Sequence, residues 1–385
     1  MSIELLRKIP PKFYKKLQII KDLLSPHTKR VYLVGGCVRD LVMGVEVKDF
    51  DIEVYDIEPF KFDSLMKKLE AKGVGKSFFV YKWDVFDIAL ARKERKVSKG
   101  HRGFEVEVAD DEREASRRRD FTMNALMLSL FSGELLDLWG GLRDIENRLI
   151  RIIDRERFKE DSLRVLRAMQ FSARLGFRVE KNSCEVMREI DLDDLSKDRI
   201  FWEFEKMFKA PYLHYGLYYL SSLLILKKLF SLELSREIFL KTAFELVKNR
   251  EKFDKDMYPY YFLYIISKNL NVEFDYMARK MNAPLSYIKL LRKQIPIPEI
   301  VDERFLLELA LRYPIKEWLG NYADEAISKA KKLGIYEKKF DGGVKGEDLL
   351  REGFRGKELG EEMLRRRKLA IERIVNEIHS KDRLQ

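Results

Sequence analysis

The segment Val34-Gly-Gly-Cys-Val-Arg-Asp40, followed by Lys48-Asp-Phe-Asp-Ile-Glu-Val54, decides how this chain folds. Val31-Tyr-Leu-Val34 reads as a β-strand, because β-branched and aromatic residues suit a pleated surface. Gly35 and Gly36 then let the backbone turn tightly and come close to a ligand. The helix that starts there leaves free N–H groups suited to a phosphate, and Arg39, one turn in, brings a guanidinium to phosphoryl oxygens. Paired glycines alone also fit a purely structural turn. Asp49 and Asp51 are two apart, so on a strand they share a face. Side-by-side carboxylates repel unless a cation lies between them, and hard oxygen donors favour Mg²⁺. Solvated acids on an exposed strand are the competing explanation; a phosphate cradle and a metal pair within one short segment argue against it.

Working outward, phosphoryl transfer with two metals usually needs a third carboxylate. Asp87, inside the apolar run Val85-Phe-Asp-Ile-Ala-Leu90, is the candidate, since a half-buried strand acid is costly without a partner; Asp84 competes with it. In Arg117-Arg-Arg-Asp-Phe-Thr-Met-Asn124, Asp120 and Asn124 are four apart and share a face if the segment is helical. Both can bond hydroxyls, as a ribose requires, and Arg118 or Arg119 suits a triphosphate. A capped helix start with Asp120 as N-cap explains the same residues without a ligand. In Glu160-Asp-Ser-Leu-Arg-Val-Leu-Arg167, the residues Asp161, Arg164 and Arg167 form a stripe opposite Leu163 and Leu166. Ordinary helical ion pairs would account for it. Hydrogen-bond logic offers a sharper reading: a carboxylate accepts from the amino group of cytosine or adenine while a guanidinium donates to their ring acceptors. Uracil and guanine present the opposite pattern and would be rejected.

The 385 residues are 46% hydrophobic and 12% aromatic, too apolar for a disordered chain and long enough for several packed modules. Lys and Arg exceed Asp and Glu by 75 to 64, a net +11, which favours polyanionic partners without naming one. Two cysteines far apart, Cys37 and Cys184, give no disulfide framework, and four scattered histidines show no ligand spacing. The N-terminus lacks the apolar stretch of a signal peptide, and the run Leu217 to Leu226 is short of the about 20 apolar residues of a span. These features imply a soluble, cytoplasmic protein. Strand signals at Ile52 to Tyr55, Val85 to Ile88 and Phe104 to Val108, with a helix over Phe60 to Lys72, predict an α/β unit ending near Leu149, preceded by a lead-in helix over 1–28. Helical periodicity over Glu160 to Leu175, Arg199 to Phe208, Tyr215 to Phe230, Ser235 to Lys248 and Glu361 to His379 predicts that 151–385 is all-helical, divided near 210 and 300. The tyrosine-rich stretches Tyr212 to Tyr219 and Tyr258 to Tyr264 suit core packing better than base stacking.

Five segments appear in one order over 31–177: Leu33-Val-Gly-Gly-Cys-Val-Arg-Asp40 with Asp49-Phe-Asp51; Arg118-Arg-Asp-Phe-Thr-Met-Asn-Ala125; Leu136-Asp-Leu-Trp-Gly-Gly-Leu-Arg-Asp144; Glu160 to Arg167 through Phe171; and Arg174-Leu-Gly-Phe177. In these the sequence resembles the class II tRNA nucleotidyltransferases, the CCA-adding enzymes, and the bacterial poly(A) polymerases that share their motifs. Gly346-Glu-Asp-Leu-Leu-Arg-Glu-Gly353 resembles the family's tail. The resemblance implies an α+β nucleotidyltransferase palm, a mixed sheet with helices, followed by all-α neck, body and tail. The segments would be a catalytic head at 1–150, a nucleotide-selecting neck at 151–210, a body at 211–300 and a tRNA-binding tail at 301–385. It implies that Asp49 and Asp51 hold Mg²⁺. Gly36 with Arg39 would bind the triphosphate. Asp120 and Asn124 would meet the ribose, Asp161 and Arg164 would read the base, and Arg167 would support the nucleotide. The tRNA 3′-hydroxyl would attack the α-phosphate of CTP, with ATP as the open second substrate, and the acceptor stem and TΨC region of tRNA would be gripped. Two departures matter: Gln170 stands where the family usually has an arginine, and Lys99-Gly-His-Arg-Gly-Phe104 keeps Arg102 but lacks the Asp and Pro of the loop thought to assist the change from C to A. Addition of CC alone, with a separate A-adding enzyme acting on the same tRNA, full CCA addition and addition of A only all stay open. So do a poly(A) polymerase and an RNA-binding protein with an inactive palm.

Overall fold

The computed structural model describes residues 2–74, 79–96, 104–253 and 255–382. The loop containing Arg102 lies outside the described residues. The chain forms two compact units, Met1–Glu233 and Leu234–Gln385.

The first unit is built on a mixed sheet. Its strands are β1 (Val31–Val34), β2 (Phe50–Val54), β3 (Lys72–Gly73), β4 (Val80–Trp83), β5 (Phe86–Leu90), β8 (Met127–Ser129) and β9 (Leu135–Leu136), in the order β3-β4-β5-β2-β1-β8-β9. A separate pair, β6 (Arg92–Lys96) and β7 (Phe104–Val108), runs antiparallel. Within the sheet β2 and β5 are parallel, with Asp51 opposite Asp87 and Glu53 opposite Ala89. The period-2 alternation of strands assigns each face its chemistry. Phe50, Ile52, Val54, Phe86, Ile88 and Leu90 enter one hydrophobic core beneath helices Tyr14–Leu24, Gly36–Met43 and Pro59–Lys68. Phe50 stacks on Phe86 at 5.3 Å between centroids and meets Phe13 edge-on at 5.2 Å. The opposite face carries Asp51, Glu53, Asp87 and Ala89.

Three local features differ from the sequence reading. The lead-in over 1–28 is not one helix, because Pro10 and Pro11 divide it into Ser2–Arg7, a 3-10 turn at Pro11–Phe13 and Tyr14–Leu24. The stretch Tyr215 to Phe230 splits into Leu213–Ser222 and Ile225–Phe230 where Leu224 adopts φ 60°. Residues 151–385 are mostly helical but include β11 (Arg178–Val179), which pairs in parallel with β10 (Leu149–Ile150). That two-residue strand is too short to leave a periodic signal.

Helix Leu163–Leu175 packs against Lys197–Phe208 and Leu213–Ser222. The close approach depends on Gly216, where an added Cβ would lie 2.8 Å from Met207 Sδ. The second unit is helical, with a core of Leu306, Leu307, Trp318, Ile335, Ile371 and Val375. Tyr261 and Tyr264 are fully buried, as core packing requires, whereas Tyr212 and Tyr218 are exposed. Among the described residues no helix is long and apolar enough to cross a membrane.

Phe50→Ala removes a ring packed on two others and is expected to cost about 3–5 kcal/mol of stability. Urea denaturation checks this, and a loss below about 1 kcal/mol would show that the ring cluster does not anchor β2 to its helices.

Candidate active site

β1 ends at Gly35 with φ +74° and ψ −132°, a conformation that L side chains rarely adopt. A Cβ there would also sit 2.9 Å from Arg119 Nη1 and 3.8 Å from Asp51 Oδ2. Glycine thus brings the backbone against a guanidinium and a carboxylate at once. Helix Gly36–Met43 follows, and its Arg39 is 3% exposed. Arg39 Nη1 donates to Asn124 Oδ1 at 2.6 Å, and Nε and Nη2 donate to Asp40 at 2.9 and 2.7 Å.

Asp120 and Asn124 come together without the expected α-helix. Residues Thr122–Asn124 form a 3-10 turn, and Asn124 Nδ2 donates to Asp120 Oδ1 at 3.0 Å. Arg167 Nε reaches Asp120 Oδ2 at 2.6 Å. Burial pushes the Asp120 carboxyl up, but Arg167 and the Asn124 hydrogen bond outweigh it and hold the group below the usual range. The Leu136-to-Asp144 motif secures this turn. Asp137 accepts from Gly141 N at 2.6 Å and Leu142 N at 3.0 Å, capping helix Gly141–Glu146. Asp144 accepts from Thr122 Oγ1 at 2.6 Å and Arg151 Nε at 3.0 Å.

A cavity of about 490 Å³ collects most of the sequence candidates: Gly35, Gly36, Arg39, Asp51, Arg119, Asp120, Asn124, Asp161, Arg164 and Arg167 line it. Arg174, Arg199 and Phe171 join them. The guanidinium carbons of Arg39, Arg167 and Arg174 surround the Phe171 ring at 5.1, 5.2 and 5.7 Å from its centroid. Gln170, the departure from the family pattern, is buried, and Arg174 Nη1 approaches its Oε1 at 3.5 Å. Asp161 receives Arg199 Nη2 on both carboxylate oxygens at 3.1 and 3.2 Å. Arg164 donates to the carbonyls of Arg157 and Arg118, which fixes its planar fork.

Four candidates fall elsewhere. Arg118 and Asp87 line a second cavity of about 260 Å³, which shares only Asp51 and Arg119 with the first. Asp49 precedes β2 and is exposed. Asp84, the competitor of Asp87, sits in the β4–β5 turn with φ 55° and pairs with Lys16.

Asp51 opens toward solvent, yet its carboxyl is crowded. Burial raises it, and Asp87, Asp49 and Glu53 add to the rise against the opposing Arg119 charge. A divalent cation beside Asp51 would offset this crowding of carboxylates. Among the described residues no group of three His, Cys, Asp or Glu side chains converges to hold a metal. The donors present nonetheless fit Mg²⁺, which usually keeps several waters and binds through one or two carboxylates plus substrate phosphates. Arg119 Nε is buried without a hydrogen-bond partner.

Sequence reasoning missed Glu53 and Arg199. Glu53 is 2% exposed and takes Arg118 Nη2 at 2.9 Å and Arg119 Nη2 at 3.4 Å. The Asp-x-Asp-x-Glu alternation over 49–53 could have found it. Arg199 lies 38 residues from its partner and carries no local signal.

Residues 31–151 match the model of the poly A polymerase head domain, and 176–236 that of a probable RNA and SrmB-binding site of polymerase A. A CCA-adding enzyme of Lactococcus lactis subsp. cremoris (strain MG1363) is 35% identical over 214 residues, 52% of either chain. The chain therefore spans about half the length of the curated relatives it matches. The Bacillus stearothermophilus CCA-adding enzyme in complex with CTP shares the fold with a TM-score of 0.69 at 22% identity, covering 94% of this chain and 93% of its own. The Thermotoga maritima CCA-adding enzyme complexed with tRNA does so at 0.70 and 21%, covering 96% and 93%.

Burial pushes Glu53 up, but Arg119 and then Arg118 outweigh it, so its folded value lies below the usual carboxylate range. Its charged form therefore contributes stability above about pH 4.3, lost as pH falls through the folded value. Glu53→Gln is expected to be about 3–5 kcal/mol less stable at pH 7, because two guanidiniums lose their counter-charge. The gap to the wild type should narrow on acidification below about pH 4.3. Thermal melts across pH check this, and a gap constant down to pH 3 would show that the Glu53 charge carries no such stability.

Proposed function

The chain belongs, through residues 31–151, to the poly A polymerase head-domain family of nucleotidyltransferases, and from that membership we propose that it extends the 3′ end of tRNA without a template. CTP is the donor, with ATP as the second substrate in a full CCA addition. One observation supports this reading above others: Asp51, at the carboxylate end, and Asp161 with Arg164, suited to a base edge, line one cavity. A triphosphate needs cations, and six arginines line that cavity against three aspartates.

In this reading residues 1–150 are the catalytic head, 151–210 the selecting neck, 211–300 the body and 301–385 the tRNA-binding tail, in a soluble cytoplasmic enzyme. The backbone at Gly35 and Gly36, with Arg39 and Arg119, binds the triphosphate. Asp120 and Asn124, already tied to Arg167 and Arg39, meet the ribose hydroxyls. Asp161 accepts from the exocyclic amino group of cytosine or adenine while Arg164 donates to a ring acceptor. Arg199 holds Asp161 in place, and a carboxylate's four or so lone-pair sites leave room for the base. Asp49 and Asp51 would hold Mg²⁺, with Asp87 beside them, and the ion when bound would neutralise charge developing on the phosphoryl oxygens. The tRNA 3′-oxygen bonds to the α-phosphorus, the bond to the bridging oxygen breaks and pyrophosphate leaves. The hydroxyl proton passes to Asp87 and on to water.

Asp51→Ala is expected to lower nucleotide incorporation by about 10³ or more while tRNA affinity stays within twofold; unchanged turnover removes the metal assignment. A tRNA ending at its discriminator base, incubated with CTP, ATP or both, counts the residues gained. Two with CTP alone and a third only when ATP is added give CCA addition, and two with no third give CC addition. Long A tracts on unrelated RNA would replace this reading with a poly(A) polymerase.

A further inference from the structure

In the second unit, the inner and outer faces of helix Arg236–Asn249 carry the reverse of their usual chemistry. Beside Leu246, its packed side is polar: Thr242 Oγ1 and Glu245 Oε2 accept from Asn269 Nδ2 at 3.0 and 2.8 Å, and Glu245 Oε1 accepts from Lys268 Nζ at 2.7 Å. Tyr261 Oη donates to the Glu245 carbonyl at 2.6 Å. These bonds to helix Tyr258–Leu270 fix the rotation of the helix about its own axis. The outward side is apolar instead, with Leu240 56%, Phe244 64% and Val247 59% exposed. At spacings of four and three residues they form one stripe, with the half-buried Ala243 beside them. We propose that this stripe docks on the same stripe of a second copy of the chain, antiparallel across a two-fold axis.

The helix is complementary to itself when reversed. With the axis between Ala243 and Phe244, Leu240 lies opposite Val247, and the small Ala243 receives the Phe244 ring as a hole receives a knob. Arg236 then lies opposite Glu251, in the 3-10 turn that follows the helix, and Glu237 lies alongside Lys248. All four charged residues are exposed. Arg236 and Glu251 each stand at the helix end of their own sign, so the helix dipole accounts for neither; a reversed neighbour accounts for both. Exposed ion pairs contribute little affinity but fix orientation and register. A polyanion such as RNA would meet Glu237 and Glu251 on the same face, which favours a second copy over RNA as the occupant. Three such side chains per copy bury well under the about 800 Å² per partner of a standard-size interface, so the association is weak and concentration-dependent.

Sedimentation equilibrium of the full chain without RNA, over about 1–100 µM, tests the assignment. The wild type is expected to pass from monomer toward dimer across this range. Phe244→Glu should stay monomeric throughout, with its circular dichroism unchanged because the ring is exposed. Arg236→Glu should weaken dimerisation about tenfold, since the two-fold axis doubles the new repulsion, and adding Glu251→Arg should restore it. A wild type that stays monomeric overturns the proposal, as does a dimer that Phe244→Glu leaves intact or a double variant as weak as Arg236→Glu alone. A monomeric wild type whose tRNA affinity falls about tenfold in Phe244→Glu would make this face an RNA contact instead.

Discussion

A buried carboxylate must find cations to replace the water it has lost, and the site is organised around one that does. Glu53 shares a strand face with Asp51 but is almost wholly enclosed. It draws in Arg118 and Arg119, which fixes the 117–124 segment over the sheet. Asp120 and Asn124 follow on the same segment, and through them Arg167 and Arg39 are placed. The capped helix Gly141–Glu146 holds this segment from behind: an added Cβ on Gly141 would lie 2.4 Å from Thr122 O, so backbone meets backbone. Removing the charge at position 53 therefore disturbs residues that never touch it.

Charges of both signs crowd this cavity. Burial raises the Asp51 carboxyl, and Asp87, Asp49 and Glu53 add to the rise against the opposing Arg119 charge. Burial lowers Arg174, and the nearby Arg39 charge adds to the fall against Asp40 and Glu203. In the proposed reading, a divalent cation beside Asp51 and a polyphosphate beside the arginines offset part of these costs.

The parts legible in the sequence are those whose signal is local. The strand ending at Gly35, Asp51 on β2, and Arg164 and Arg167 on helix Leu163–Leu175 each lie within one element, where spacing dictates direction, whereas Asp49 and Asp161 fall just before theirs. Long-range partners were not legible, since Arg199 reaches Asp161 across 38 residues and Lys16 takes Asp84 out of contention across 68. Neighbouring residues outside a helix also diverge without warning. Arg118 and Arg119 were equivalent candidates, yet only Arg119 faces the larger cavity. The α/β unit was legible because alternation survives in β2 and β5 and β1 is a short apolar run of β-formers, whereas the two-residue strands carry too few positions to show a period.

In the proposed reading, base selection by side chains demands that the reading groups be held before the nucleotide arrives, because a loose guanidinium would adapt to the wrong edge. Arg164 meets this demand through two carbonyls, one of them that of Arg118. The guanidinium of Arg118 in turn grips Glu53 on the carboxylate face of the sheet. A single residue thus ties Arg164 to the strand that presents Asp51, the one by its main chain and the other by its side chain. Arg164 and that strand are joined through the covalent frame of Arg118 and two part-buried polar contacts. In the proposed reading, such a frame refuses a base whose hydrogen-bonding edge is reversed, because accommodating it would require moving the carboxylate face as well.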